Sequence, residues 1–334
     1  MNHTRSSAGA PGHRLSLRTQ VALAIVAVSA WPFAGHAHGV VGKRFFPATI
    51  ATEDPFIADE LSLPTVSTLR ANASGEEPAS RETSVSGEFS KRITPDFGIS
   101  LGAEHQHISP DGQATLTGWS NVELGFKYQV YRNEASESLL SVGLGWEIGG
   151  SGSKAVAEGF STYSPTVFFG KGFGNLPDSM PYMKPLAVTG TLGLAIPSRA
   201  SSTTTTVDPD TGERVSDVEP HPRVMQLGFA IQYSLPYLQS FVKDVGLREP
   251  FSRMVPLVEV SLEKPLDRVD DRRVTGTVNP GVLWAGRYTQ LGLEAIIPIN
   301  GRSGHGVGAL VQLHFFLDDI FPQSLGRPLL ESAP

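Results

Sequence analysis

The chain has 334 residues, with 27 Lys and Arg against 33 Asp and Glu, a formal charge of −6 and no cysteine. The lack of cysteine excludes disulfides, thiolate metal sites and cysteine nucleophiles, and the acidic balance argues against a nucleic-acid binder, which needs a basic face. With 40% hydrophobic and only 18% charged residues, there is apolar material for one large domain or two small ones.

Residues 1–37 read as a secretory signal. Arg5, Arg14 and Arg18 open it, an apolar run extends from Val21 to Ala30, and Ala34-Gly35-His36-Ala37 sets small residues before a cut at His38. The run is shorter than the ~20 residues of a membrane-spanning helix, and no later stretch reaches that length. Residues 38–61 follow without periodicity. With Arg44-Phe45-Phe46-Pro47 and Glu53-Asp54-Pro55-Phe56, they read as an N-terminal periplasmic segment, a plug entering the lumen, a partner-docking strap or a simple leader, and the aromatics point to packing against another part of the protein.

From there the sequence alternates in twos. Val122, Leu124, Phe126, Tyr128 and Val130 interleave with Asn121, Glu123, Gly125, Lys127 and Gln129. Leu140, Val142, Leu144, Trp146 and Ile148 interleave with Ser141, Gly143, Gly145 and Glu147, and similar patterns recur to Leu317. The spacing predicts strands at 62–70, 82–93, 97–107, 117–131, 137–149, 159–172, 185–196, 224–236, 255–266, 274–286, 288–299 and 306–317. Most exceed the five or six residues of an average strand and reach the ~9–11 that cross a bilayer. One face is Leu, Val, Ile, Phe and Tyr; the other is Gly, Ser, Thr, Gln and Glu. A membrane barrel turns the first outward to lipid, whereas a soluble sandwich hides it in a core. Strand length and the signal segment favour an all-β, antiparallel transmembrane β-barrel of about 12 strands over residues 62–317, with a periplasmic tail at 318–334.

The connections fit. With the N-terminus in the periplasm, the outward links include the Thr-rich stretch 197–223, and the inward links include 94–96, 132–136 and residue 287, matching the long outer loops and short inner turns of such barrels. The inward link 237–254 is long, and Leu238, Phe241, Val242 and Val245 predict a short helix or plug there. Closure of an even number of strands satisfies every backbone group within lipid.

Asn279-Pro280-Gly281, then Gly292-Leu293-Glu294-Ala295-Ile296-Ile297-Pro298-Ile299-Asn300, resembles the outer-membrane barrels grouped as "MetA-pathway of phenol degradation" proteins, as does Asn121-Val122-Glu123-Leu124-Gly125-Phe126-Lys127-Tyr128. The resemblance spans about residues 82–317. It implies an outer-membrane channel or transporter linked to uptake of small organic compounds, and it brings no catalytic residues. Gly308, Val311, Leu313 and Phe315 resemble the final-strand signal read by the barrel-assembly machinery, although the chain continues after Leu317.

Candidate functional residues follow from the polar face. Glu104, Glu123 and Glu147 fall on successive strands with Lys127 beside them, and Glu259 and Glu294 also point inward; together they predict a lumen that selects cations or hydrogen-bonding solutes, or a network that fills a narrow barrel. His105 and His107 share a strand face and, with His221 and His305 in the outer loops, are candidate Zn or Cu ligands or else polar rim residues. His314 reads as a hydrogen-bonding lumen residue. Gly98-Ile99-Ser100-Leu101-Gly102 matches G-x-S-x-G only literally, because its serine lies inside an alternating strand rather than at a strand–turn–helix elbow. No nucleotide or cofactor motif is present. The sequence therefore points to a passive outer-membrane channel for small solutes, in contact with outer-membrane lipid and without enzymatic activity. The alternatives are a lipid-modifying enzyme of the same membrane and a soluble periplasmic barrel or sandwich that binds lipid or metal.

Overall fold

The computed structural model describes residues 39–73, 78–207 and 214–330; the expected signal segment lies outside them. Twelve antiparallel strands close on themselves. In chain order they are β1 (Glu60–Ala71), β2 (Ser80–Thr94), β3 (Phe97–Pro110), β4 (Glu123–Asn133), β5 (Ser138–Glu147), β6 (Thr162–Gly172), β7 (Leu186–Pro197), β8 (Val224–Tyr233), β9 (Met254–Pro265), β10 (Thr275–Ala285), β11 (Thr289–Pro298) and β12 (His305–Phe316). Each pairs with its chain neighbours, and β12 returns to β1, with Leu310 opposite Ser67 and Phe316 opposite Glu60. Closure leaves no free edge, as a sheet within lipid requires.

The faces are inverted relative to a soluble protein. Leu101, Leu192 and Leu293 point outward and are 50%, 53% and 55% exposed, while Ser141, Glu259 and Gln290 point inward and are fully buried. Burying carboxylates and amides while exposing leucines is unfavourable in water; it suits a wall with lipid outside and a polar interior. The soluble sandwich is therefore excluded. Outward Trp119, Trp146 and Tyr163 cluster at the strand ends that carry the long loops, and outward Tyr128, Tyr131 and Tyr233 lie at the short-turn ends, as two aromatic girdles would.

Three local features differ from the sequence-based expectation. The strand expected at 117–131 is interrupted: Leu116–Trp119 pairs with β3 alone, and β4 begins at Glu123. Asn121 causes the break. Its Nδ2 donates to Glu147 Oε1 at 3.0 Å and to the Glu158 carbonyl at 2.9 Å, and its Oδ1 accepts from the Gly152 N–H at 3.2 Å. Loop serines take the freed donors on either side, Ser153 Oγ accepting from the Trp119 N–H at 2.9 Å and Ser151 Oγ from the Val122 N–H at 2.8 Å. The long loop after β7 contains a hairpin, Ser201–Val207 against Arg214–Pro220. The expected helix at 237–254 shrinks to turns over Leu235–Val242 and Phe251–Arg253. Its apolar stripe is too short to propagate: Lys243 is extended, Gly246 turns the chain at φ +69°, and Gln239 Oε1 takes the Leu247 N–H at 2.7 Å.

Both ends of the described chain lie at the short-turn end. After β12 a helical turn, Leu317–Ile320, leads to a tail whose Leu330 N–H donates to the Ile93 carbonyl at 2.7 Å. Before β1, residues 39–45 form a small hairpin, Val40–Val41 against Arg44–Phe45. Residues 46–59 then enter the barrel as an inner strap.

Candidate functional site: the lumen and its strap

The strap has no periodicity because it forms no sheet. Instead, inward polar groups of the wall satisfy its backbone. Glu259 of β9 accepts four hydrogen bonds: from the Ile50 N–H at 2.9 Å, the Ala51 N–H at 3.0 Å, the Thr52 N–H at 2.7 Å and Thr52 Oγ1 at 2.9 Å. Gln290 Nε2 donates to the Ala48 carbonyl at 2.8 Å, and Ser141 Oγ to the Pro55 carbonyl at 2.6 Å. Two apolar contacts complete the seat. Ile50 packs on Val255, Leu257 and Leu283, and Phe56 packs on Val41, Phe46, Leu139 and Ala187. Gly292 permits the first approach, since a Cβ there would lie 2.1 Å from Ile50 Cδ1.

Charged clamps hold the strap at each end. Buried Arg44 stacks 3.9 Å above the Tyr237 ring, donates to the Pro185 carbonyl at 2.8 Å and to the Lys184 carbonyl, and pairs with Glu137 at 3.2 Å. Glu137 also accepts from the Gly174 N–H at 3.0 Å and from the Tyr237 hydroxyl at 3.1 Å. Burial lowers the Arg44 guanidinium from its usual range, and Glu137 opposes that shift. Burial, with Glu137 adding to it, pushes the Tyr237 phenol up to about 12, so it remains a donor. At the other end, Asp59 accepts from Lys91 Nζ at 2.7 Å, from Arg92 Nε at 2.8 Å and from the Arg92 N–H at 2.7 Å.

The strap leaves the lumen open on one side. Between it and the β2–β6 wall lies a cavity of about 680 Å³. The wall there presents Gly98, Ser100, Gly102, Gly125, Gly145 and Ser164, and these small side chains make the space. Seven carboxylates border it: Glu53 and Asp54 of the strap, and Glu60, Glu88, Glu104, Glu123 and Glu147 of the wall. Three of them stand in one cross-strand row, because Glu88 is opposite Gly102, Gly102 opposite Glu123, and Glu123 opposite Glu147. Lys127 also borders the cavity. Its Nζ donates to the Asp54 carbonyl at 2.8 Å, lies 3.7 Å from Glu53 and sits 4.4 Å from the centre of the Phe168 ring. His314 closes one side, with Nδ1 2.9 Å from Ser62 Oγ and Nε2 3.3 Å from Glu60.

The structure thus brings Glu104, Glu123, Glu147 and Lys127 together at the cavity. Glu259 and Glu294 point inward but lie apart from it, Glu259 beneath the strap and Glu294 buried between Gly281 of β10 and Leu310 of β12. His105 and His107 point outward. His105 meets Trp119 edge-on at 5.3 Å and His107 Nε2 lies 3.2 Å from Ser109 Oγ; among the described residues, no group of three His, Asp or Glu is placed to hold a metal ion. Glu88 was missed by sequence reasoning, although its alternation with Ser84, Ser86 and Ser90 carried the signal. Glu53 and Asp54 stood out only as an acidic cluster, since nothing in an aperiodic segment shows which wall it meets, and Glu60 fell just before the first expected strand at 62–70.

A closed antiparallel barrel of twelve strands, apolar outside and polar within, belongs to the class of outer-membrane β-barrels. No family model and no curated protein sequence matches the chain. Solved structures do. An outer membrane channel from Pseudomonas putida F1 is 11% identical, with 81% of this chain and 99% of that chain covered at a TM-score of 0.52. The β domain of the Bordetella autotransporter BrkA is 13% identical, covering 78% and 99% at 0.45, and the NanC porin is 11% identical, covering 76% and 98% at 0.42. At these identities, the likeness to the first supports the fold alone.

Proposed function

We propose that this protein is an outer-membrane channel that admits small solutes passively and favours cations. The long-loop end faces outward and the short-turn end the periplasm, the usual orientation of such barrels. One observation carries the reading: seven carboxylates border the cavity against a single lysine. Unbalanced charge on low-dielectric walls concentrates counter-ions and excludes like charge. The strap limits throughput, because it occupies the side of the lumen lined by Glu259, Gln290 and Leu283. The resemblance of the 279–300 region to barrels linked with uptake of organic compounds agrees with a small organic solute.

Reconstitution into planar bilayers tests this. The protein should conduct, with a reversal potential in a salt gradient that reports cation preference. Glu123→Gln with Glu147→Gln should shift that potential toward zero. A folded barrel that stays silent would overturn the channel reading, and unchanged selectivity in the double variant would overturn the assignment of these carboxylates.

A further inference from the structure

Resting on the channel reading, and deepening it, we infer that the cavity is a binding site for a linear aliphatic polyamine in its polyammonium form. Adjacent strands lie about 4.8 Å apart. Glu88 and Glu123 are two strands apart in one row, so their backbones stand about 10 Å apart, and Glu147 continues the row about 5 Å further. Carboxylates spread along a line suit a ligand whose ammonium groups are spread along a chain. They do not suit a point ion, and among the described residues no three such groups converge on one metal position.

A second observation points the same way. Gln312 of β12 borders the cavity and is only 6% exposed. Its Nε2 donates to Thr65 Oγ1 at 3.1 Å, while its Oε1 has no hydrogen-bond partner. Gln312 lies opposite Thr65, Thr65 opposite Ser86 and Ser86 opposite Glu104, so Gln312 stands in the row next to that of Glu88. A buried acceptor without a donor is costly, and an ammonium or secondary amine supplies only donors. The resident cations do not fill the need. Lys127 is turned to the Asp54 carbonyl and the Phe168 ring, and Lys91 and Arg92 to Asp59.

Titration calorimetry on the purified protein in detergent tests this without requiring conduction. Spermidine should bind once per barrel, roughly tenfold or more tighter than methylammonium, because it makes at least one further charge-assisted contact. Glu88→Gln should weaken spermidine binding by roughly tenfold, as should Glu123→Gln, and Gln312→Leu should weaken it severalfold. Heat-modifiable gel migration verifies that each variant is folded, and Glu147→Gln substitutes for any that is not. Spermidine binding no tighter than Mg²⁺, or unchanged by Glu88→Gln and Glu123→Gln, would overturn the inference. A protein that conducts with cation preference but gives no heat with spermidine defeats this inference alone. One that binds spermidine but stays silent in bilayers defeats the channel reading alone.

Discussion

Replacing Glu259 with alanine should release the strap from the wall. The carboxylate is fully buried and receives three backbone N–H groups and one hydroxyl. A hydrogen bond to a charged group is worth about 1.5–3 kcal/mol, but four on one carboxylate do not add independently. Removing one partner of such a buried charged arrangement costs about 3–5 kcal/mol. At ~4 kcal/mol the ratio of seated to released strap falls by about three powers of ten. Glu259→Gln keeps one acceptor oxygen and should fall between. The chain has no cysteine, so Ala48→Cys, at a buried strap position, gives a single reporter. In the Glu259→Ala background a water-soluble maleimide should label it far faster, and single-channel conductance should rise. Equal labelling rates and equal conductance with and without Glu259 would refute the view that this carboxylate seats the strap.

Other outcomes follow from the same contacts. Glu137→Ala strips Arg44, the Gly174 N–H and Tyr237 of a shared partner; stability should fall by about 3–5 kcal/mol, read as a lower temperature for the gel-migration transition, with ion preference unchanged. Because the Tyr237 phenol keeps its proton to about 12 and donates to the Glu137 carboxylate, Tyr237→Phe should cost about 1.5–3 kcal/mol, and should cost the same at roughly pH 6 and pH 9. Gly102→Trp should fold and reduce conductance, since a Cβ there meets nothing closer than Glu123 Cβ at 3.7 Å and the ring extends into the cavity; undiminished conductance would mean that ions take another route.

Strand positions were legible because a membrane wall is one residue thick. Each of its residues meets either lipid or lumen, so Leu124, Phe126 and Tyr128 against Glu123, Gly125 and Lys127 report their faces directly in sequence. The interruption at Asn121 was not legible, because it depends on Glu147, Gly152 and Glu158, all distant in sequence. Inward orientation of Glu259 could be read from alternation, but its partners could not. They belong to the strap, whose backbone donors carry no side-chain pattern at all. Likewise, the cavity arises from a difference between walls. Gly and Ser face it from β3 to β6, while Val255, Leu257 and Leu283 meet Ile50 across the barrel, and only closure of the sheet sets these opposite one another.

The central claim is that the apolar face meets acyl chains and the polar face encloses the solute path. Nitroxide labels placed singly at Glu123, Leu124, Phe126 and Lys127 in the bilayer-reconstituted protein test it most directly. Labels at 124 and 126 should collide with oxygen dissolved in lipid, and those at 123 and 127 with a water-soluble nickel chelate. The opposite assignment, with 124 and 126 shielded from lipid, would contradict it.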